Sequence, residues 1–226
     1  MYLVIKEISP SRSIAKNLIK DGYVSVNGNI CTKYSYTVKS TDKIKIQTTF
    51  QNKTRGFWKL LLIEKEFSFI RKEMKVLDLG SSKGGFLEYC ALKCKKVVGI
   101  EISKDFSDKL KLLKEKYNNI EIINENIFNF NTDFFKKEYF NCILNDLTLD
   151  PFISFSALLK VLPFLKKKGF ILFSVKLGDY SIEELKEKLE QQFLYNNLVI
   201  LKELNIKENN KEIHYILEKN EIVDSP

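Results

Sequence analysis

Apolar and polar positions along this 226-residue chain follow two rhythms, and the change falls near residue 54. In the first stretch, Ile14, Ala15, Leu18 and Ile19 recur at helical spacing behind Ser11. Serine is a residue type that caps helices by accepting a backbone N–H. Asp21-Gly22 ends that helix. Val24 and Val26 then alternate into Asn27-Gly28, a turn dipeptide that tolerates positive φ and favours a hairpin. Another short strand is predicted from Lys43 to Ile46.

Beyond the polar stretch from Gln47 to Thr54, apolar runs of strand length alternate with helical periods. Strands are predicted at Val76–Gly80, Val97–Glu101, Ile120–Ile123, Phe140–Leu144 and Gly169–Lys176, and near Leu198–Leu204 and Ile213–Leu217. Helices are predicted at Gly84–Leu92, from the cap Ser103 to Tyr117, around Phe155–Leu165, and after the cap Ser181, with Glu183 and Glu184 in its first turn. Such alternation builds an α/β sheet, mostly parallel and Rossmann-like, with helices on both faces. The last two strands, joined by the turn Glu208-Asn209-Asn210, read as a hairpin adding an antiparallel edge. The expected organisation is a small α+β domain over residues 1–48 and an α/β domain over residues 54–226.

Composition narrows the class. Hydrophobic residues make up 44% and charged residues 29%, a globular balance, and no apolar run approaches the roughly 20 residues of a membrane helix. The opening MYLVIKEISPSR has no apolar core or cleavage site of a secretory signal, so a cytoplasmic location with reduced thiols is expected. The four cysteines (31, 90, 94 and 142) form no CxxC pair. Cys90 and Cys94 are expected to share a helix face as packing, and no metal site is expected. The net charge is +8, and residues 1–53 hold nine Lys/Arg against three acids. A basic surplus concentrated in a short segment suits a polyanion such as nucleic acid.

Arg12, Lys16 and Lys20 recur every four residues and so make one basic helix face, to which the loop at Lys33 adds. Such a face binds phosphates. Ser11-Arg12, Ala15, Leu18-Ile19 and Gly22-Tyr23-Val24-Ser25-Val26-Asn27-Gly28 resemble the hallmark of the RNA-binding domain first seen in ribosomal protein S-four. The usual Arg-Leu-Asp opening is missing. The resemblance implies that Arg12, Lys16, Lys20 and Lys33 contact RNA.

LDLGSSKGGF follows the first strand of the second region and opens a helix. Its glycines let the backbone approach a ligand at a helix amino terminus, in a spacing that is not the dinucleotide fingerprint G-x-G-x-x-G. It resembles the first motif of S-adenosylmethionine-dependent methyltransferases. That likeness implies a cofactor cradle of Asp78, Gly80, Ser81, Gly84, Gly85 and Phe86, with Gly85 leaving the methionine end accessible. Glu101 is placed for the ribose hydroxyls, and Asn126 stands where an acid usually faces the adenine.

The run GFILFSVKLGD places Lys176 at the end of an apolar strand, where a charge is costly unless used or paired. Asp146 ends the preceding strand, and carboxyl ends of neighbouring strands meet at one crevice. Lys59, in TRGFWKL, is placed on a short helix capping that crevice, and Glu212 opens the last strand. In this order and context the four residues resemble the Lys-Asp-Lys-Glu tetrad of the FtsJ-type RNA methyltransferases. With the basic first domain, the layout is similar to the TlyA type. That resemblance implies S-adenosylmethionine-dependent methylation of a ribose 2′-hydroxyl, of cytidine, in ribosomal RNA or a ribosomal subunit. Asp146 serves both the cofactor and the tetrad. Lys176, partly desolvated and beside Lys59, is expected to have a lowered pKa that lets it take the hydroxyl proton. Asp146-Leu147-Thr148-Leu149-Asp150 departs from the family's Asp-Val-Ser-Phe-Ile. His214 is expected to have no role, Tyr215 to be core, and Phe57 and Trp58 to pack rather than stack a base. The competing readings are a noncatalytic RNA-binding assembly factor and a haemolysin, the latter without an amphipathic membrane helix to support it.

Overall fold

The Ser11 side chain accepts from the Ile14 N–H and so starts a helix where the sequence places it. The computed structural model describes residues 2–5, 9, 11–131, 134–205 and 212–220. The turn Glu208-Asn209-Asn210 lies outside them. In the amino-terminal unit, α1 (Tyr2–Ile5) and α2 (Arg12–Lys20) precede three strands, β1 (Val24–Val26), β2 (Asn29–Ile30) and β3 (Ile44–Ile46). These pair antiparallel in the order β2-β1-β3. The hairpin turns at Asn27 and Gly28, with φ of 52° and 88°, the left-handed region that Asn and Gly tolerate best. Ile14, Ala15, Leu18, Val24 and Ile46 are buried beneath.

A helix, α3 (Arg55–Glu66), leads into the larger sheet and is capped by Thr54. The following elements are β4 (Lys75–Leu79), α4 (Gly85–Ala91), β5 (Lys96–Ile100), α5 (Ser107–Lys116), β6 (Ile120–Ile123), β7 (Phe140–Asn145), α6 (Pro151–Val161), β8 (Leu165–Lys176), α7 (Ile182–Tyr195), β9 (Leu198–Leu204) and β10 (Glu212–Lys219). Seven strands pair in the order β6-β5-β4-β7-β8-β10-β9. The first five are mutually parallel, and β10 runs antiparallel to both neighbours. The expected antiparallel pair is present at this edge of the sheet: β10 lies between β8 and β9, and β9 is outermost. Being internal, β10 is buried on both faces, with His214 and Tyr215 each at 0% exposure.

The period of two along each strand sorts the core into two layers. Val76, Val97, Cys142, Leu144, Leu172 and Ile216 pack with α3 and α4. Leu77, Val98, Ile143, Ile171, Phe173 and Leu217 pack with α6 and α7. Two predicted helices differ from the observed ones. Ser103 caps a short 3₁₀ turn, Lys104–Phe106, before α5 begins. The helix expected around Phe155–Leu165 starts earlier, because Asp150 caps it through the Phe152 and Ile153 N–H groups and Pro151 sits in its first turn. Cys94 lies beyond the end of α4, so it shares no helix face with Cys90, although both are buried.

The two units pack through aromatic rings. Phe50 lies 4.6 Å from Tyr23 and 5.7 Å from Trp58, centroid to centroid. Phe57 and Trp58 are buried, which is the packing role expected of them.

Candidate active site

Residues two apart on a strand face the same way. Asp146 follows Leu144 by two, Lys176 follows Leu172 by four, and Glu212 precedes Ile216 by four, so all three point to the face covered by α3. In the register of β8 and β10, Glu212 stands directly opposite Lys176. Lys59 projects from α3 into the same place. Its Nζ donates to both Asp146 oxygens at 2.9 and 2.8 Å and lies 2.8 Å from Glu212 Oε2. Lys176 Nζ donates to Asp146 Oδ1 at 2.8 Å and to Glu212 Oε1 at 2.7 Å. Two lysines thus share two carboxylates in a closed quartet of zero formal charge.

The quartet opens into a cleft of 1330 Å³ along the carboxyl ends of β4, β5, β7 and β8. Asp78, Gly80, Ser81, Gly85, Phe86, Glu101 and Asn126 line the same cleft. Residues 53–220 match the FtsJ-like methyltransferase family model. The chain belongs to that family.

Residues 1–44 match the S4 domain. An uncharacterised protein of Methanocaldococcus jannaschii is 33% identical over 162 residues, 70% of this chain and 44% of its own length. Hemolysin A of Brachyspira hyodysenteriae is 28% identical over 74% of this chain and 67% of its own. Ribosomal RNA large subunit methyltransferase E of a Wolbachia from Brugia malayi is 29% identical over 42% of this chain and 41% of its own. Among solved structures, a candidate hemolysin from Streptococcus thermophilus superposes with a TM-score of 0.60 at 19% identity, covering 100% of this chain and 88% of that one. At that identity the likeness is one of fold. The chain thus spans less than half the length of the archaeal relative.

The family's cofactor is S-adenosylmethionine, a cation carrying ribose hydroxyls, and the cleft fits it. Asp78 is buried, and its Oδ2 has no hydrogen-bond partner among the described residues. Burial raises the Asp78 pKa to about 7, against a Ser81 hydrogen bond and with help from the nearby charges of Asp146 and Glu101. Such an oxygen is satisfied by a donor or cation arriving in the cleft. Glu101 is already held, accepting from Ser82 N at 2.6 Å and Ser103 N at 2.7 Å. Asn126 Oδ1 accepts from Phe128 N, which fixes the amide at the cleft wall.

The glycines divide by task. Gly80 has a φ of 72°, and a Cβ there would come 2.5 Å from Leu147 Cδ2. Gly84 does not line the cleft; its Cβ would meet Leu113 of α5 at 2.2 Å. Gly85 lines the cleft, but a Cβ there would strike Thr54 Oγ1 at 2.4 Å and Phe57 N at 2.6 Å. Besides its place in the cleft, Gly85 lets the start of α3, and hence Lys59, sit against α4.

A second correction concerns Lys176. Burial pushes its pKa down, but the charge of Asp146 and hydrogen bonds to Asp146 and Glu212 outweigh that, and the net shift is upward. The lysine is a cation here rather than a ready base. Burial opposes ionisation of Glu212 as well, yet its contacts with Lys176 and Lys59 hold its pKa down at about 2. Arg12, Lys16, Lys20 and Lys33 are all exposed and stand apart from the cleft. Lys16 Nζ sits 5.3 Å from the ring of Tyr34, itself 65% exposed. Ser174, which sequence reasoning did not single out, and His214, to which it assigned no role, lie under the quartet. Their period-two spacing from Lys176 and Glu212 was the available signal.

Proposed function

We propose that the protein methylates a ribose 2′-hydroxyl in ribosomal RNA, as the TlyA-type resemblance implies for cytidine. The observation that carries this reading is the Lys59–Asp146–Lys176–Glu212 quartet at the open end of the cofactor cleft. S-adenosylmethionine supplies an electrophilic sulfonium methyl, so the protein's task is to align a hydroxyl oxygen and manage its proton. Asp78 and Glu101 would hold the cofactor's ammonium and ribose ends, with Gly80, Ser81, Gly85 and Phe86 shaping the cradle and Gly84 supporting it behind. Asn126 would face the adenine.

Lys176 would present an N–H to the incoming hydroxyl oxygen and stabilise negative charge as it develops. To take the proton itself, Lys176 must first let go of one carboxylate, which lowers its pKa, and give up its own proton to solvent. Asp146 and Glu212 tether the two lysines, and Lys59 keeps both carboxylates from collapsing onto Lys176 alone. Residues 1–48 would deliver the RNA, with Arg12, Lys16, Lys20 and Lys33 on phosphates, and residues 54–226 would carry the chemistry.

The test is to incubate the full chain with methyl-labelled S-adenosylmethionine and unmodified ribosomal RNA, as free RNA and as subunits, and to map the label. A 2′-O-methyl ribose at one nucleotide is expected. Lys176→Met should keep the packing of the stem and the cofactor affinity but lose about 10²–10⁴-fold in rate. Label on a base, or normal turnover by Lys176→Met, would end this reading.

A further inference from the structure

His214 is the chain's single histidine and lies directly beneath the quartet at 0% exposure. It stands opposite Ser174 in the register of β8 and β10, two residues from the Glu212–Lys176 pair on the same face. Its Nδ1 is 2.8 Å from Ser174 Oγ. Its Nε2 has no hydrogen-bond partner among the described residues and lies 3.8 Å from Glu212 Oε2. That oxygen carries an ion pair to Lys59 Nζ at 2.8 Å, and a carboxylate oxygen has a lone pair left for a second donor. An unpartnered ring nitrogen therefore faces a carboxylate oxygen that can accept a further donor, below the reacting groups.

Donor inventory chooses the tautomer. With the proton on Nδ1, Nε2 would aim a lone pair at a carboxylate oxygen. With the proton on Nε2, the Ser174 hydroxyl donates to Nδ1 and the Nε2–H points toward Oε2. An imidazolium is disfavoured first by burial and then by Lys59 from α3 and Lys176 from β8, against Asp146 after β7 and Glu212 on β10; the pKa falls to about 4.

Building on the proposed methyl transfer, we infer that neutral His214, protonated on Nε2, is a positioning residue that takes hold of Glu212 when Lys176 releases it. A shift of about 1 Å brings Nε2–H into hydrogen-bond range of Oε2. The replacement donor lowers the cost of leaving Glu212 with one lysine fewer, and so frees Lys176 to turn to the substrate hydroxyl.

One imidazole makes the test direct. Nitrogen NMR of full-length protein labelled at histidine should show a neutral ring protonated on Nε2 from pH 8 down to near pH 5, with a signal that moves in Glu212→Gln. An Nδ1-protonated ring, or an imidazolium at pH 7, overturns the inference. In methyl transfer, His214→Phe should lower kcat about tenfold, the effect of one lost buried hydrogen bond, and leave the KM for S-adenosylmethionine unchanged. His214→Gln, which keeps an N–H toward Glu212, should restore most of the rate. A His214→Phe protein with wild-type kcat sinks the inference while leaving the activity intact. Wild-type protein that transfers no methyl group strikes the activity reading alone, and the NMR result then decides the state of His214.

Discussion

Asp78 and Lys176 both hold their protons more tightly than usual, one because it is buried and the other because two carboxylates hold it. For Asp78 the folded pKa of about 7 lies above the ordinary 3.8. Folding therefore favours the neutral acid, and stability declines as pH rises through that window. A cationic ligand restores the carboxylate, so S-adenosylmethionine binding near pH 6 should release protons. Calorimetry in buffers of different ionisation enthalpy measures this, and a heat independent of buffer would contradict it. Asp78→Asn should stabilise the ligand-free protein at pH 8 and weaken cofactor binding. Glu212 behaves oppositely: its pKa of about 2 lies below the ordinary 4.5, so its contribution is present above pH 4.5 and lost as pH falls toward 2. Replacing it with Gln leaves Lys176 a single carboxylate. The alkaline rise of methyl-transfer rate, set by loss of the Lys176 proton, should then move to lower pH. An unmoved limb in Glu212→Gln would show that Lys176 does not govern it.

At the scale of elements, α3 matters because Lys59 reaches the quartet only if its helix lies close against α4. Gly85 permits that approach, with Thr54 Oγ1 and the Phe57 N–H where a Cβ would be. The Phe57 N–H is backbone and cannot swing aside. Gly85→Ala should therefore displace α3, cost about 1–3 kcal/mol, and depress methyl transfer by misplacing Lys59. Gly56→Ala is the matched control: its Cβ would meet Gly85 Cα at 3.4 Å, an ordinary contact, and alanine is the better helix former by about 1 kcal/mol. Thermal unfolding of the two variants should shift in opposite directions. Equal shifts would mean that the α3–α4 contact is not the constraint.

Across the whole molecule, the amino-terminal unit rests on the same helix that carries Lys59. Trp58, the chain's single tryptophan, is stacked under Phe50, which in turn meets Tyr23, and Asp21 pairs with Lys65 of α3. Tyr23→Ala should loosen this seat and shift Trp58 fluorescence to the red, as water reaches the ring. An unshifted spectrum would place the support for Trp58 elsewhere. On the exposed face of α2, Arg12→Ala with Lys16→Ala should weaken RNA binding without unfolding and flatten its salt dependence, because fewer counterions are released. The slope of affinity against salt for the double variant and the wild type decides whether that face binds phosphates.

Local patterns were enough to read the succession of strands and helices, the glycine-rich bend after β4 and the charges at the strand ends, because period, caps and strand-end charges are properties of short segments. The four residues of the quartet were joined by their resemblance to the family's tetrad. Asp150-Pro151 marked the start of α6 just as locally, and was passed over for the apolar run behind it. Three things depended on contacts between distant segments. The insertion of β10 between β8 and β9 is a choice of partner, which no strand's own residues specify. The task of Gly85 is set by Thr54 and Phe57, some thirty positions away in sequence. The protonation of Lys176 follows from two carboxylates closing on it from β7 and β10 at 2.8 and 2.7 Å. A sequence shows that a lysine is at a strand end; only the fold brings its counter-charges within reach, and Coulomb attraction at that distance outweighs the burial that would otherwise have made it a base.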